Sequence, residues 1–235
     1  MACLTGWLLE QMRAVDWNQR AYLEHATLQI EDVIFNSILC RANQDLARIA
    51  EIVGEDPSQA NTWRENSARA INDRLWSEED GMYYSYDRVA GRLLRIETIA
   101  GFLTLYGGVA PSERADRMVE VHLLNSKEFW PEGGYPVPTT AINESRWFNP
   151  QNYWLGPVWI GMNWMLIRGL VDIGRAELGA RLTTKTLDLI ERHGFHEYFN
   201  PYSGEGYGTD GFSWGAALVI DLVAAMDSQP ESLRR

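Results

Sequence analysis

The stretch EDVIFNSILCRANQDLARIAEIV, from Glu31 to Val53, carries the clearest structural signal in the sequence. Apolar residues recur in it at steps of three and four, which predicts an amphipathic helix whose apolar face packs on a core. That face consists of Val33, Ile34, Ile38, Leu39, Ala42, Leu46, Ile49 and Ala50. Gly54 is suited to end this helix, and Pro57 is suited to the first position of the next one.

Similar periodicity predicts further helices along the chain. Their expected ranges are residues 6–25, 57–76, 98–106, 112–124, 156–173, 176–193 and 212–226. The helix over 57–76 is expected to direct its apolar residues to a core. These are Trp63, Ala70, Ile71 and Leu75.

Two segments between the helices are expected to differ from them. Residues 81–94 alternate and contain Val89-Ala90-Gly91, which predicts a small β-hairpin. Residues 194–211 mix acids, Gly and Tyr and are expected to form a loop. About eight helices with long loops and short turns between them favour an all-α toroid or solenoid, although helix count alone does not separate a toroid from a bundle.

The formal net charge of the 235 residues is −11, and 46% of them are hydrophobic. Length and composition are those of one globular domain, so residues 1–235 are expected to form a single domain. The acidic charge argues against binding of nucleic acid, whose phosphates need clustered Lys and Arg, and against anionic membrane surfaces. Neither a signal peptide nor a membrane-spanning stretch is evident, so the cytoplasm is the expected location.

The sequence shows no motif for a metal, a nucleotide or a nucleophilic serine. Cys3 and Cys40 form no CxxC pair and are expected to be buried free thiols. His193 and His196 lack a third metal ligand, and His122 looks incidental on a helical face. Neither a GxSxG elbow nor a Walker loop is present. We therefore predict no metal site and no cofactor.

The segment WFNPQNYWLGPVW, residues 147–159, is the first candidate site. Sugars have apolar C–H faces and a rim of hydroxyls, which aromatic planes and side-chain amides respectively bind. The segment holds both kinds of group, and Gly156-Pro157 at a helix start lets the aromatic residues approach a pocket closely. A purely structural aromatic cluster at a helix entrance explains the same composition, and both interpretations stay open at this point.

The segment FHEYFNPYSGEGYG, residues 195–208, is the second candidate site. Glu197 lies beside aromatic residues, where partial desolvation would bring a carboxylate towards useful base strength. Glu205 is flanked by Gly204 and Gly206 and is expected to be more exposed. An ordinary solvated loop acid is the alternative interpretation for either residue.

These segments resemble a known enzyme family. The run Gln151 to Trp159 closely resembles a motif of glycoside hydrolase family sixty-three, most of all its bacterial mannosylglycerate and glucosylglycerate hydrolases. Processing α-glucosidase I and, more distantly, the trehalases are relatives. Residues 195–208, followed by Gly211-Phe212-Ser213-Trp214, match the family's carboxy-terminal loop and final helix, and residues 31–36 match the start of a mid-barrel helix.

The resemblance implies an all-α (α/α)6 barrel of twelve helices and an inverting hydrolase that binds a small carbohydrate. It assigns Glu197 as the catalytic base, with Glu205 as a weaker alternative. The substrate-binding residues that it implies are Tyr153, Trp154, Trp159, Gln151, Tyr198 and Glu205.

One part of the family pattern is missing from this sequence. The family's acid is an Asp in a Trp/Gly-rich motif, followed by Ser-Pro-Arg, well upstream of the segment that matches residues 31–36. No such motif is present, and the neighbours of Asp16-Trp17 do not fit it. The resemblance therefore covers only the carboxy-terminal part of the barrel, about eight of its twelve helices, with the β-hairpin as a small insertion.

Three functional hypotheses follow from this departure. In the first, the chain is a hydrolase of small α-glycosides such as mannosylglycerate or glucosylglycerate. It is active only when a missing amino-terminal half completes it. Alternatively, it is a non-catalytic carbohydrate-binding remnant or pseudoenzyme. A helical scaffold with an aromatic protein-binding groove is the third hypothesis, and an open half-barrel of this kind could also self-associate.

Overall fold

The computed structural model describes residues 2–227, and for residues 2–4, 25 and 227 it describes the backbone alone. Helices dominate the described chain. They are α1 (Ala2–Ala14), α2 (Gln19–His25), α3 (Val33–Val53), α4 (Ser58–Arg74), a 3₁₀ turn (Ile99–Phe102), α5 (Leu103–Tyr106), α6 (Ser112–Arg117), a π-helix (Met118–Leu123), α7 (Ile160–Asp172), α8 (Ala176–His193) and α9 (Ser213–Asp227). Within residues 2–227, no helix combines the length and apolarity needed to cross a membrane.

Short antiparallel strands connect the helices at three places. They are β1 (Ile30–Glu31), β2 (Trp76–Ser77), β3 (Met82–Tyr83), β4 (Tyr86–Asp87), β5 (Arg92–Leu93), β6 (His196–Phe199) and β7 (Gly206–Asp210). Strand β4 lies between β1 and β5, β2 pairs with β3, and β6 pairs with β7. The predicted hairpin over 81–94 is confirmed as the β4–β5 pair, whose turn ends at Gly91 with a positive φ. The first strand of that segment, β3, pairs back to β2 instead.

The helices pack as successive hairpins. Helix α3 packs against α4 and α5, α5 packs against α7, and α7 packs against both α8 and α9. The main core lies between these elements, and its fully buried side chains include Phe102, Leu166 and Leu182. Cys40 contributes a buried free thiol to it, as predicted, while the side chain of Cys3 lies outside the described residues.

The predicted apolar face of α3 is not the face that packs on the core. Of its eight residues only Val33 is buried, while Leu39, Leu46 and Ile49 are each about half exposed, at 48%, 47% and 55%. The buried face consists of Val33, Ser37, Cys40, Asn43 and Ala47. Small side chains let the neighbouring backbone come close, and a Cβ on Gly107 would lie 2.6 Å from the carbonyl oxygen of Ser37. The helix was predicted correctly, but most of its predicted core face was wrong. Close packing selects small residues on the buried face, and of the predicted residues only Val33 and the partly buried Ile34 pack against the main core of the described chain.

The predictions for α4 and α7 were correct in kind but wrong in detail. In α4, Ile71 and Leu75 reach the core as expected, whereas Trp63 is 48% exposed and Ala70 is exposed as well. Helix α7 begins at Ile160, four residues after the predicted start at Gly156. Val158 and Trp159 stay outside the helix because Val158 uses its main-chain groups to pair with a neighbouring segment.

Asn163 fixes the long loop that precedes α7. Its side chain is completely buried, and Oδ1 accepts a hydrogen bond of 3.2 Å from the Val137 N–H. Its Nδ2 donates to the Pro136 carbonyl and to the Thr186 hydroxyl, each over 3.0 Å. One amide therefore satisfies both main-chain groups of a buried loop segment and ties that segment to α7 and α8.

We expect Asn163→Ala to lower the free energy of unfolding by about 2–5 kcal/mol, because the Val137 N–H and the Pro136 carbonyl would lose their buried partner. Urea denaturation measures this change. Asn61→Ala, at an exposed position of α4, is the matched control and should change stability by about 0.5 kcal/mol or less. Equal effects of the two substitutions would show that Asn163 does not hold the loop.

Candidate active site

Main-chain pairing joins the two sequence segments that were predicted to form a site. The Val158 N–H donates to the Phe199 carbonyl over 2.8 Å, and the Phe199 N–H donates to the Val158 carbonyl over 2.9 Å. Both side chains are completely buried. Residues about forty positions apart in sequence are thereby held side by side, so that Trp159 lies next to Tyr198.

Four of the predicted substrate-binding residues form one aromatic stack. The rings of Trp154 and Trp159 are nearly parallel, with centroids 3.9 Å apart, and Tyr198 lies on the Trp159 ring at 5.2 Å. Tyr153 presents its ring edge-on to Trp154, Trp159 and Tyr198 at 5.2–5.7 Å. Trp159 is almost fully buried, whereas Trp154 is 39% exposed. The stack therefore has a buried base and an exposed end, which is the form of an aromatic platform for a ligand.

The backbone around Tyr153 helps to form this stack. Tyr153 has a φ of +42°, which is rare for a residue with a bulky side chain. Its carbonyl accepts a hydrogen bond of 3.0 Å from Nε1 of Trp159. Gly156 allows the turn to close, because a Cβ there would lie 2.7 Å from the Asn149 carbonyl oxygen. Gly156 thus permits a close backbone approach, although it does not start the helix.

Glu197 lies on β6, at a bulge in the β6–β7 ladder. Between the pairs His196–Asp210 and Tyr198–Tyr207, β6 advances by two residues and β7 by three, so Glu197 faces both Gly208 and Thr209. The Thr209 N–H donates to Oε2 of Glu197 over 3.2 Å.

Gly208 leaves the space that the Glu197 side chain occupies. It has a φ of +73°, and a Cβ there would lie 2.5 Å from Oε2 of Glu197 and 3.0 Å from Cε1 of Tyr198. The carboxylate therefore lies beside the Tyr198 ring, at the edge of the aromatic stack. Sequence analysis predicted a loop here, and the two strands were missed because Gly206 and Gly208 weaken any strand pattern.

Gln151 and Glu205 meet at the hydroxyl of Tyr207, which sequence analysis did not single out. Tyr207 donates to Oε2 of Glu205 over 2.7 Å and accepts from Nδ2 of Asn200 over 3.3 Å, and the Gln151 side chain lies near the same hydroxyl. Burial, and secondarily the bond to Glu205, raise the pKa of Tyr207, so this hydroxyl keeps its proton. Glu205 is exposed, as predicted, and its carboxylate accepts the hydrogen bond that orients the Tyr207 hydroxyl.

Trp214 is a second site residue that sequence analysis did not assign. Its ring centroid is 6.4 Å from that of Trp159, and its side chain is 43% exposed. Gly161 leaves room for it, because a Cβ on Gly161 would collide with the Trp214 ring. The signal in the sequence was the Gly-Phe-Ser-Trp run that begins α9, whose aromatic residues lie near the stack only because α9 packs on α7.

An open cleft of about 230 Å³ lies at the exposed end of the stack. Its lining includes Trp154, Trp147, Tyr84 and Ser85. Trp159 and Glu197 do not line this cleft. The structure thus brings the aromatic residues together and places Glu197 at their edge through Tyr198.

Residues 5–215 match the model of the mannosylglycerate hydrolase MGH1-like glycoside hydrolase domain. The chain belongs to this family. Membership confirms the resemblance inferred from residues 151–159 and 195–214.

Several known proteins are similar to this chain. A mannosylglycerate hydrolase of Thermus thermophilus is 38% identical over 213 residues, which are 91% of this chain and 50% of that protein. The glucosylglycerate hydrolase of Mycolicibacterium hassiacum is 31% identical over 220 residues, or 92% of this chain and 49% of that protein. This chain therefore spans about half the length of these relatives.

Solved structures show the same relationship. A GH63 mannosylglycerate hydrolase from Thermus thermophilus, in complex with Tris and D-glycerate, superposes with a TM-score of 0.82 at 39% identity, covering 91% of this chain and 50% of that chain. Neutral trehalase Nth1 from Saccharomyces cerevisiae superposes with a TM-score of 0.65 at 21% identity, over 88% of this chain and 39% of that chain, and shares the fold.

We expect Gly208→Ala to lower stability more than Gly211→Ala does. Both glycines have a positive φ, of +73° and +67°, so either alanine costs about 1–2 kcal/mol in backbone strain. Only the Cβ at Gly208 would also displace the Glu197 carboxylate, because nothing lies within 4 Å of a Cβ at Gly211. Urea denaturation of both variants checks this difference. Equal losses would mean that the bulge does not hold Glu197 in place.

Proposed function

We propose that this chain is the base-bearing part of an inverting glycoside hydrolase that acts on small α-glycosides such as mannosylglycerate or glucosylglycerate. The observation that carries the proposal is the position of Glu197, which the β6–β7 bulge holds beside the stack of Tyr198, Trp159 and Trp154. A carboxylate can activate water as a general base, and an aromatic platform beside it can hold the apolar face of the bound sugar.

In the proposed mechanism, Glu197 takes a proton from the attacking water. Inverting hydrolases need about 6.5–9.5 Å between the base and the acid, so that water fits between the base and the anomeric carbon. The Thr209 N–H fixes Oε2 of Glu197, which leaves Oε1 to face the water. The acid then protonates the leaving oxygen from the other side of the sugar.

The aromatic stack supports the carbohydrate part of the proposal. Trp154 and Trp214 are exposed aromatic planes on which a sugar's C–H face can lie, and the network of Gln151, Tyr207 and Glu205 offers groups for its hydroxyls. The proposed substrate class comes from similar proteins. Two of them are named mannosylglycerate hydrolase and glucosylglycerate hydrolase, and the structure of one relative was solved in complex with Tris and D-glycerate.

We further propose that the acid and a closed (α/α)6 toroid require helices beyond those described. Phe35, Ile49 and Ile52 on α3 are 76%, 55% and 70% exposed, and Ile220 on α9 is 70% exposed. Helices α3 and α9 are the two ends of the series α3, α5, α7 and α9, so both ends present apolar side chains to solvent. Exposed apolar faces of this kind indicate that other helices cover them.

We expect this chain to release fluoride slowly from α-mannosyl or α-glucosyl fluoride, because fluoride leaves with little acid assistance. Glu197→Gln should reduce that rate by about 10²-fold or more, since the variant lacks the base. Glu191→Gln, at an exposed position of α8, is the matched control and should keep the wild-type rate, while Glu205→Gln tests the weaker candidate for the base. A fluoride electrode measures release, and circular dichroism confirms folding.

Three other outcomes of the fluoride assay would contradict the proposed role of Glu197 or of the chain, and turnover of the natural substrate would contradict the missing acid. Equal rates for wild type and Glu197→Gln would remove Glu197 from the mechanism, and a loss in Glu205→Gln alone would make Glu205 the base. Sugar binding without release in any variant would favour a carbohydrate-binding remnant. Full turnover of mannosylglycerate by the isolated chain would place the acid within it.

We also expect mannosylglycerate hydrolysis to appear when this chain is mixed with the unmatched half of the Thermus thermophilus relative. Protonation of the leaving oxygen contributes about 10²–10⁴-fold, so the mixture should exceed either part by that order. Phe35→Asp, on the exposed face of α3, should prevent this gain by placing a charge in the covered face. Val89→Asp, in the β4–β5 turn at 56% exposure, is the matched control and should preserve it.

A further inference from the structure

A second cluster of ionisable groups lies apart from the aromatic stack. His122, on the π-helix, and Glu128, in the loop after it, have side chains that are only 6% and 12% exposed. Glu97, just before the 3₁₀ turn, has its Oε2 buried without any hydrogen-bond partner. One ligand atom from each of the three residues lies within 4.8 Å of those from the other two.

The hydrogen bonds of His122 determine what its Nδ1 can hold. Nε2 lies 2.9 Å from the Asp80 carbonyl oxygen, which can only accept, so Nε2 carries a proton and donates it. Nδ1 lies 2.8 Å from Oε2 of Glu128. In a neutral imidazole, Nδ1 would direct its lone pair at a carboxylate oxygen, and two acceptors do not approach so closely unaided. Either a proton lies between these atoms, or both atoms bind a metal ion that lies to one side of the line joining them.

The charge of the cluster favours a divalent ion over a proton. Two carboxylates, Glu97 and Glu128, meet one imidazole, and within the described chain neither carboxylate has a Lys or Arg at ion-pair distance. One proton on His122 would neutralise only one of the two charges. A divalent ion would neutralise both, and it could bind Glu97 through Oε1, which lies 3.9 Å from Nδ1 of His122.

We propose that Glu97, His122 and Glu128 form a structural site for a divalent transition metal of the zinc class. Imidazole nitrogen together with carboxylate oxygen is a donor set that zinc accepts, at bond lengths of about 2.0–2.2 Å. The outer contacts fit this role as well. His122 donates its other N–H to a backbone carbonyl, and Asn125 holds Oε1 of Glu128 over 2.9 Å. Sequence analysis took His122 as incidental because its partners come from distant segments.

The ion would connect three parts of the chain. It would tie the π-helix to the segment at Glu97 and to the loop that contains Glu128. His122 and Glu128 are largely buried, so the ion would be shielded from bulk solvent, and a water molecule would complete the four ligands that zinc prefers. This assignment does not depend on the proposed hydrolase activity.

The test is metal binding by the whole chain after removal of metals with a chelator. Calorimetry with Zn²⁺ alone should show one ion per chain, and the melting temperature should rise on addition of Zn²⁺. Co²⁺ in its place should give visible absorption bands of a nitrogen- and oxygen-ligated ion. Glu97→Gln, which preserves shape and is expected to fold, should weaken Zn²⁺ binding by at least about tenfold.

Two controls make the result decisive. Glu132→Gln, at an exposed position of the same loop region, should bind Zn²⁺ as the wild type does. His196→Gln tests the other histidine with a carboxylate close by, Asp210 at 3.9 Å, and should also leave binding unchanged. Binding that survives Glu97→Gln but not His196→Gln would overturn the proposal. So would an absence of Zn²⁺ binding with a higher melting temperature for Glu97→Gln, since the cluster would then hold a proton.

Discussion

The reciprocal hydrogen bonds between Val158 and Phe199 are the interaction on which the rest of the candidate site depends. They are the point at which the aromatic loop and the β6–β7 hairpin become one structure, and both side chains are fully buried. The residues that follow or precede them, Trp159 and Tyr198, stack because their backbones are fixed at neighbouring positions. Glu197 is next in the strand, so its distance from the stack is set by the same pairing.

Most of the helices could be predicted from the sequence, because apolar periodicity is a local property of the chain. The same reasoning failed where a distant segment determines the conformation. Residues 156–159 read as the start of α7, yet Val158 pairs with Phe199 and delays the helix to Ile160. Strand β7 was missed for a related reason. The sequence does not show that Gly208 is needed there to make room for the Glu197 side chain on the neighbouring strand.

The exposed face of α3 shows a second limit of periodicity. A periodic pattern identifies which residues share a face, but it does not say whether another element covers that face. In α3 the buried face holds Ser37, Cys40 and Ala47, and the larger Leu46 and Ile49 point away from it. The chain spans half the length of its relatives, and α3 ends the series of packed helices, so Leu46 and Ile49 stay about half exposed among the described residues.

The cluster around His122 and the aromatic stack belong to one hydrogen-bonded framework. Two hydrogen bonds join the segment at Glu97 to the segment from Thr139 to Ala141. The Glu97 carbonyl accepts from the Ala141 N–H over 2.9 Å, and the Thr139 carbonyl accepts from the Ile99 N–H over 3.0 Å. The Thr139 hydroxyl in turn accepts from the Gly156 N–H over 3.0 Å. Gly156 leads directly into the pairing of Val158. A metal ion bound at Glu97 would therefore hold a segment that hydrogen bonds join to the backbone from which Trp159 projects.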